Sequence, residues 1–161
     1  MTIHADYELP VQPVFEALTD PGFLIDRNLA LGELSSECEA KESDGRIVVS
    51  AVREVRRDLP GALAKLFNPL NTMDMTEQWD ADGNGWQGHW TLEVRGQSVT
   101  IFGNFELTPT ETGCRYSVSH RVKVNIPFVG RQVQKYILGQ TAKGAYDELE
   151  YLRTYLDSSN T

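Results

Sequence analysis

Glu77 lies in a stretch of sequence where every second residue is apolar. Met73, Met75 and Trp79 share its parity, so a β-strand through this stretch places the Glu77 carboxyl group on the apolar face. A carboxylate among apolar groups has to be paired, hydrogen-bonded or protonated. Such a group orients a ligand hydroxyl or acts as a general acid or base. A local break in the register, or a strand edge near solvent, is the alternative interpretation.

His120 has an inward parity on a later stretch, which it shares with Tyr116, Val118 and Val122. An imidazole in that position contacts a ligand, transfers a proton or is hydrogen-bonded within the core. An enzyme built on this chain would use Glu77 together with His120, the one acid–base pair that the pattern suggests.

Aromatic residues supply a second group of candidates. The tryptophans that fall on two neighbouring predicted strands are Trp79, Trp86 and Trp90. Such a stripe either fills a core or lines an apolar cavity. The tyrosines that could offer a hydroxyl to a polar ligand group, or to backbone and water, are Tyr7, Tyr116 and Tyr136.

The histidines do not form a metal-binding pattern. His4, His89 and His120 fall on different predicted strands, and the sequence has no HxH, HxxxH or HExxH motif. The Gly-Asn-Gly sequence at 83–85 predicts a turn, because no helix follows it as a phosphate-binding loop requires. A GxSxG nucleophile elbow is also missing from the sequence. We therefore expect no metal and no cofactor, and we assign no catalytic residue.

The length of the chain predicts its domain organisation, and its net charge limits the classes of molecule that it binds. The chain has 161 residues and a formal net charge of −8, which predicts a single domain over residues 1–161. The acidic charge argues against a nucleic-acid partner, because phosphate binding needs clustered lysines and arginines. The first six residues do not resemble a signal peptide, and no apolar run approaches the ~20 residues of a membrane span. We expect a cytoplasmic protein without integral membrane association, in which Cys38 and Cys114 are small buried thiols.

The candidate residues need elements that hold them in place. Alternation at residues 3–9 predicts a first strand, and two short helices follow as far as Gly32. Six alternating segments separated by turn sequences cover residues 34–126, the last of them a single strand from Cys114 to Val124. From Val129 to Leu156, apolar spacing predicts a long amphipathic helix. A long helix after antiparallel strands indicates an α+β domain.

Two local sequences carry a resemblance to a known superfamily. The first is Val14-Phe15-Glu16-Ala17-Leu18-Thr19-Asp20, and the second is Ile126-Pro127-Phe128-Val129-Gly130 before the long helix. With the element order, they resemble the START and birch-pollen-allergen superfamily, in an uncharacterised bacterial branch that is described as a domain of unknown function. The resemblance implies a helix-grip fold: a curved seven-stranded antiparallel sheet that grips a C-terminal helix, with two short helices between strands 1 and 2. Members of the superfamily include ligand binders and enzymes, so it fixes fold better than chemistry.

Connections at one end of the sheet carry apolar residues. In an antiparallel meander, the third-to-fourth and fifth-to-sixth connections share an end with the junction before the long helix. The residues at this end include Leu63, Leu66, Phe67, Leu70, Gly96, Gln97, Pro127 and Phe128. Three interpretations of these residues are open. They form a hydrophobic gate over a pocket mouth, they cap the end of the core, or they contact a membrane transiently.

Three arginines at the end of the third predicted strand and two glycines in the long helix each have more than one possible role. Arg53, Arg56 and Arg57 end the third predicted strand, where they bind an anionic head group or, more commonly, pair with acids on a solvated face. In the long helix, Gly139 and Gly144 permit close backbone approach or a bend, or they are simply tolerated.

Our leading hypothesis is a non-catalytic protein that binds or carries a hydrophobic small molecule, lipid-like or polyketide-like, between the sheet and the long helix. The resemblance favours Trp79 and Trp90 as cavity-lining residues and makes a Cys38–Cys114 disulfide improbable, since the strands that carry them are not neighbours. One alternative is a small cyclase, aromatase or dehydratase, and another is an interaction module that binds no ligand. The oligomeric state is left open. The predicted ligand-binding residues are Tyr7, Leu66, Phe67, Met75, Glu77, Trp79, Trp90, Leu92, Phe105, Tyr116, His120, Phe128, Val133, Tyr136 and Ile137.

Overall fold

The computed structural model describes residues 1–159, in which an antiparallel sheet partly encloses a long C-terminal helix. The strands are β1 (Thr2–Tyr7), β2 (Ser35–Ser43), β3 (Arg46–Arg56), β4 (Leu70–Asp82), β5 (Gly85–Val94), β6 (Val99–Pro109), β7 (Cys114–Ser119) and β8 (Arg121–Val124). The helices are α1 (Val11–Thr19), α2 (Pro21–Ala30) and α3 (Gly130–Ser159), with a short 3-10 helix at Gly61–Lys65. The predicted α+β fold class, with two short helices after the first strand, is confirmed.

The strand order is β1-β7-β6-β5-β4-β3-β2, and β8 pairs with β6 beyond β7. The central pairs are hairpin neighbours in sequence, whereas β1 closes the sheet against β7 with Thr2 opposite Ser119. Hairpin pairing follows from the turn sequences, because a short turn commits adjacent segments to an antiparallel register. The β1–β7 pairing joins the first strand of the chain to a strand more than a hundred residues later.

A break between β7 and β8 corrects the predicted single strand from Cys114 to Val124. The register against β6 is the same on both sides of the break, with Phe105 opposite Val118 and Phe102 opposite Arg121. At the break, the Ser119 hydroxyl accepts a hydrogen bond from the Asn104 amide (2.8 Å) in place of a backbone carbonyl. Alternation alone could not reveal the break, because the parity of the inward residues is unchanged.

The corner between α1 and α2 depends on Asp20. Its side chain accepts a hydrogen bond from the Phe23 amide (3.0 Å), and Pro21 occupies the first turn of α2, where no amide donor is needed. The corner turns the buried side of α2, including Phe23 and Leu24, towards the core.

Aromatic side chains fill one half of the interior, which we call the packed half. Its members are Phe15, Trp79, Trp86, Phe105 and Leu107. The Phe15 and Trp86 rings stack with centroids 3.8 Å apart, and the Trp79 and Phe105 centroids are 4.1 Å apart. Gly88 is necessary here, since a Cβ at that position would overlap the Gln78 carbonyl and the Phe105 ring.

Helix α3 lies across the sheet and buries Val133, Leu149, Leu152 and Leu156. The Tyr7 hydroxyl donates a hydrogen bond to the Leu149 carbonyl (3.1 Å), which ties α3 to β1. Within residues 1–159, no helix combines the length and the apolar character that crossing a membrane requires.

Candidate functional site: a cavity between sheet and helix

A cavity of about 220 Å³ lies between α3 and the sheet, beside the packed half. Strands β3 to β6 supply its floor, and α3 supplies its roof. Its apolar lining includes Met75, Trp90, Leu92, Ile101, Val133, Ile137 and Leu149. Its polar lining includes Arg27, Arg53, Glu77, Tyr116, His120 and Glu148. The interior is therefore hollow on one side and filled on the other.

Ten of the predicted ligand-binding residues line this cavity. They are Phe67, Met75, Glu77, Trp90, Leu92, Tyr116, His120, Val133, Tyr136 and Ile137. They come from the β3–β4 connection, from β4, β5, β7, the β7–β8 break and α3, so the fold brings together residues that are far apart in sequence. Their role in binding a ligand stays a prediction.

Five predicted residues lie elsewhere. Trp79 and Phe105 are buried against one another in the packed half, and Tyr7 is held beneath α3 by its bond to Leu149. Leu66 and Phe128 project to the exterior, and Phe128 is fully exposed with a positive φ of 69°. These five side chains therefore lie outside the cavity lining. For Trp79 and Phe105 the reason is that equal strand parity does not distinguish a filled half from a hollow half.

The predicted common end of the sheet is confirmed. Leu63 and Phe67 from the β3–β4 connection line the cavity together with Gln97 from the β5–β6 turn and Val133 from the first turns of α3. Leu66 of the same connection and Leu70, the first residue of β4, are exposed, so only part of this apolar segment covers the cavity.

A network of buried charges closes the other side of the cavity. The Arg53 guanidinium binds Glu33 through its Nε (2.6 Å) and NH2 atoms, and its NH2 atom lies 3.6 Å from a Glu148 oxygen. The second Glu148 oxygen lies 3.6 Å from Arg27. Arg27 also donates to the Asn28 amide oxygen at 3.2 and 3.3 Å. We call Arg27, Glu33, Arg53 and Glu148 the charge network.

Most of this network is absent from the residues predicted on the sequence pattern. Arg53 has the parity of Val49, Ala51 and Val55, so alternation alone places it inward, and only its charge suggested the solvated face. Arg27 follows the buried Phe23 and Leu24 by four and three residues, which is the spacing of one helix face. The expectation of a solvated face holds for the exposed Arg56 and Arg57 and is wrong for Arg53.

Glu77 lies on the cavity floor beside the charge network. One of its oxygens accepts a hydrogen bond from the Trp79 indole at 2.9 Å. Burial raises the pKa of Glu77, although the Trp79 bond and the charges of Arg27 and Arg53 oppose that rise. The predicted inward carboxyl group is confirmed, and its environment favours the protonated form.

His120 lies at the β7–β8 break, on the far side of the cavity. Its ring meets the Trp90 ring edge-on at a centroid distance of 5.3 Å, and its Nδ1 atom is buried without a hydrogen-bond partner among residues 1–159. Burial lowers the pKa of His120, as does the nearby amino terminus, while Glu148 opposes this. The imidazole is therefore held in its neutral form.

Glu77 and His120 are separated by two intervening strands. Glu77 faces Trp90, Trp90 faces Gly103, and the continuous register places Gly103 opposite His120. Three strand spacings amount to roughly 14 Å along the sheet. The charges acting on His120 are those of Glu148 and the amino terminus, whereas Arg27, Arg53 and Glu148 act on Glu77. This geometry does not support a joint acid–base pair.

The two cysteines are free thiols on well-separated strands. Burial raises the pKa of Cys38 to about 11 and that of Cys114 to about 11. Since the thiolate is the nucleophilic form, neither group is activated for nucleophilic chemistry.

Comparisons with known proteins identify a family but no activity. The family described as "Protein of unknown function (DUF2505)" matches residues 2–156. No match was found among curated proteins. The expected membership of an uncharacterised family is confirmed, whereas the family description does not name the START superfamily, which stays a resemblance.

Solved structures share the fold. The protein TTHA0849 from Thermus thermophilus is similar with a TM-score of 0.68 and 15% identity, covering 100% of this chain and 99% of that one. An uncharacterized protein from Rhizobium leguminosarum has a TM-score of 0.63 and 10% identity, covering 98% and 93%. MLL2253 from Mesorhizobium loti has a TM-score of 0.59 and 19% identity, covering 98% and 96%. At these identities the similarity concerns the fold alone.

Proposed function

We propose, for a chain that belongs to the DUF2505 family of proteins of unknown function, that it binds or carries a hydrophobic small molecule in the cavity between the sheet and α3. The molecule is lipid-like or polyketide-like. The observation that carries the proposal is the cavity itself, about 220 Å³ of space with mainly apolar walls and a few converging polar groups.

The contrast with the packed half supports this proposal. Protein interiors are close-packed, and empty apolar space forfeits the contacts that its lining atoms would otherwise make. The packed half shows that this chain supplies enough aromatic volume to fill its interior on one side. Space that is left open beside it fits a ligand that restores the missing contacts.

The two alternatives receive less support. A cyclase, aromatase or dehydratase needs a positioned acid or base, and the suggested pair of Glu77 and His120 is divided by two strands. An interaction module without a ligand has no need of an open interior. The cavity therefore favours a binder or carrier over an interaction module, and the separation of Glu77 from His120 favours it over an enzyme that would use them as a pair.

Native mass spectrometry of freshly purified protein, with organic extraction of the same sample, tests the proposal. We expect a stoichiometric apolar adduct that denaturation releases, or a thermal shift with members of a lipid and polyketide panel. A bare mass together with no shift from any member would contradict the proposal.

A matched pair of variants locates the binding site. Gly144 lines the cavity and Gly139 does not. Apart from the chain neighbours and the adjoining backbone of α3, no atom of residues 1–159 lies within 4 Å of a Cβ built at either position. Gly144→Leu should abolish the adduct or the shift by occupying the cavity, while Gly139→Leu should retain it. Loss of binding in both variants, or in neither, would place the ligand elsewhere.

A further inference from the structure

We infer that the cavity selects an uncharged ligand, an apolar molecule with hydroxyl or carbonyl groups, and discriminates against carboxylates and ammonium ions. This inference rests on the proposed function and names the ligand class of the same site. Its basis is the way in which the charge network and His120 are arranged around the cavity.

The charge network is already balanced. It contains the guanidinium groups of Arg27 and Arg53 and the carboxylates of Glu33 and Glu148, and each arginine lies within 3.6 Å of a carboxylate oxygen. The side chains of Arg27 and Arg53 are only 7% and 11% exposed. A ligand carboxylate buried beside this network would add an unmatched charge to a low-dielectric site, which is costly. The third arginine of the lining, Arg57, is exposed to solvent and does not belong to the network.

The arginine donors are also committed within the protein. Arg27 donates to Asn28 through Nε and NH2, and Arg53 donates to Glu33 through the same two atoms. The remaining NH1 atom of Arg53 lies 3.7 Å from the sulfur of Met75. A bidentate grip on a ligand carboxylate needs a free pair of guanidinium donors, and these pairs are already engaged.

Glu77 adds a hydrogen-bonding group whose ionised form is disfavoured by burial. Its Oε2 atom is engaged by the Trp79 indole, and burial favours the protonated carboxyl group. A protonated carboxyl group donates a hydrogen bond to a ligand hydroxyl or carbonyl oxygen. A ligand ammonium would need the ionised form in a site where burial disfavours it.

His120 supplies an independent observation on the opposite wall. Its side chain lines the cavity, its residue is only 4% exposed, and its Nδ1 atom lacks a partner within residues 1–159. A neutral imidazole donates or accepts a hydrogen bond, whereas a buried nitrogen without a partner is costly. The apolar floor between His120 and Glu77 is Trp90, whose indole is already bound to the Ser119 carbonyl at 3.2 Å. Both polar ends of the cavity thus favour uncharged groups.

Three probes of equal chain length test the inference: 1-decanol, decanoate and decylammonium, titrated calorimetrically into the full chain at neutral pH. We expect 1-decanol to bind about tenfold or more tightly than either ion. Decanoate or decylammonium binding as tightly as 1-decanol would overturn the inference and leave the proposed function standing. If none of the three probes binds and the protein carries no extractable ligand, the proposed function fails and the inference fails with it.

A charge variant sharpens the same test. Glu148→Gln leaves one arginine charge unmatched, so decanoate should gain about tenfold in affinity. Glu150→Gln is the matched control, because Glu150 is exposed on the same helix, and decanoate affinity should not change. Equal effects in the two variants would overturn the inference. If Glu148→Gln does not fold, the comparison of the three probes in the unmodified chain decides the question.

Discussion

The packed half and the part of the interior that contains the cavity, which we call the cavity half, are built from the same strands. One is filled by side chains and the other is open. Strand β4 carries Trp79 into the packed half and Met75 and Glu77 into the cavity half, and β5 does the same with Trp86 and Trp90. In the packed half, Phe15 of α1 meets both Trp79 and Trp86 and occupies the space above the sheet. Over the cavity half, α3 presents Gly144 and Ala145, which leave that space open. The helix above each half, rather than the strands, decides whether the interior is filled.

The largest expected effect comes from opening the packed half. Trp79→Ala should reduce the free energy of unfolding by about 4 kcal/mol, since it removes a fully buried side chain and leaves a void. Trp90→Ala, the matched change in the cavity half, should cost clearly less, because one face of Trp90 already borders open space. Urea unfolding of both variants measures the difference. Equal losses would contradict the division into two halves.

Removing one arginine should show that the polar wall of the cavity half depends on paired charges. Arg53→Met leaves Glu33 and Glu148 with an unmatched buried charge and should destabilise the fold by about 3 kcal/mol. Arg56→Met is the control on the same strand, where Arg56 and Asp58 are both exposed, and it should cost no more than about 0.5 kcal/mol. A small loss for Arg53→Met would mean that the pairing contributes little.

Two glycine substitutions should have opposite signs in the two halves. Gly88→Ala should destabilise by roughly 1–3 kcal/mol, because its Cβ would overlap the Gln78 carbonyl and the Phe105 ring. Gly144→Ala should stabilise by about 0.5–1 kcal/mol through helix propensity, since its Cβ meets no atom of residues 1–159 within 4 Å apart from its chain neighbours and the adjoining backbone of α3. Thermal unfolding with matched urea curves gives both values. Destabilisation by Gly144→Ala would show that α3 packs more closely than the structure indicates.

The smallest expected effect concerns pH. The pKa of His120 is lowered by burial in the folded protein, so the unfolded chain binds more protons just below pH 6.5. Stability should therefore fall as the pH drops from 7 through this window. His120→Gln should reduce the slope of unfolding free energy against pH, which urea unfolding at several pH values measures. An unchanged slope in His120→Gln would contradict the assignment.

The element order and the inward parities could be predicted because they depend on local patterns. Alternation placed Glu77 and His120 on the interior face, and the turn sequences gave the hairpins. The Ser119–His120 break could not be predicted, since the Ser119 hydroxyl replaces a backbone acceptor without changing the parity. The structure argues against close backbone approach at Gly139 and Gly144, because no atom of residues 1–159 outside the chain neighbours and the adjoining backbone of α3 lies within 4 Å of their Cβ positions.

The candidate site was less predictable than the fold. The charge network joins Arg27 of α2, Arg53 of β3 and Glu148 of α3 with Glu33, which precedes β2. Whether an arginine on an apolar strand face is buried or exposed cannot be predicted until the carboxylates that neutralise it are known. Those carboxylates come from distant parts of the chain.

By itself, the sequence determined the α+β class, the order of elements and which face of each strand turns inward, because hydrophobic periodicity and turn chemistry act over a few residues. Only the tertiary structure decided that Trp79 fills the interior while Trp90 borders a cavity, and that Arg53 is buried in a balanced network. The physical reason is that filling and charge compensation depend on what a second element places opposite a side chain. Neither is encoded in the periodicity of the strand that carries it.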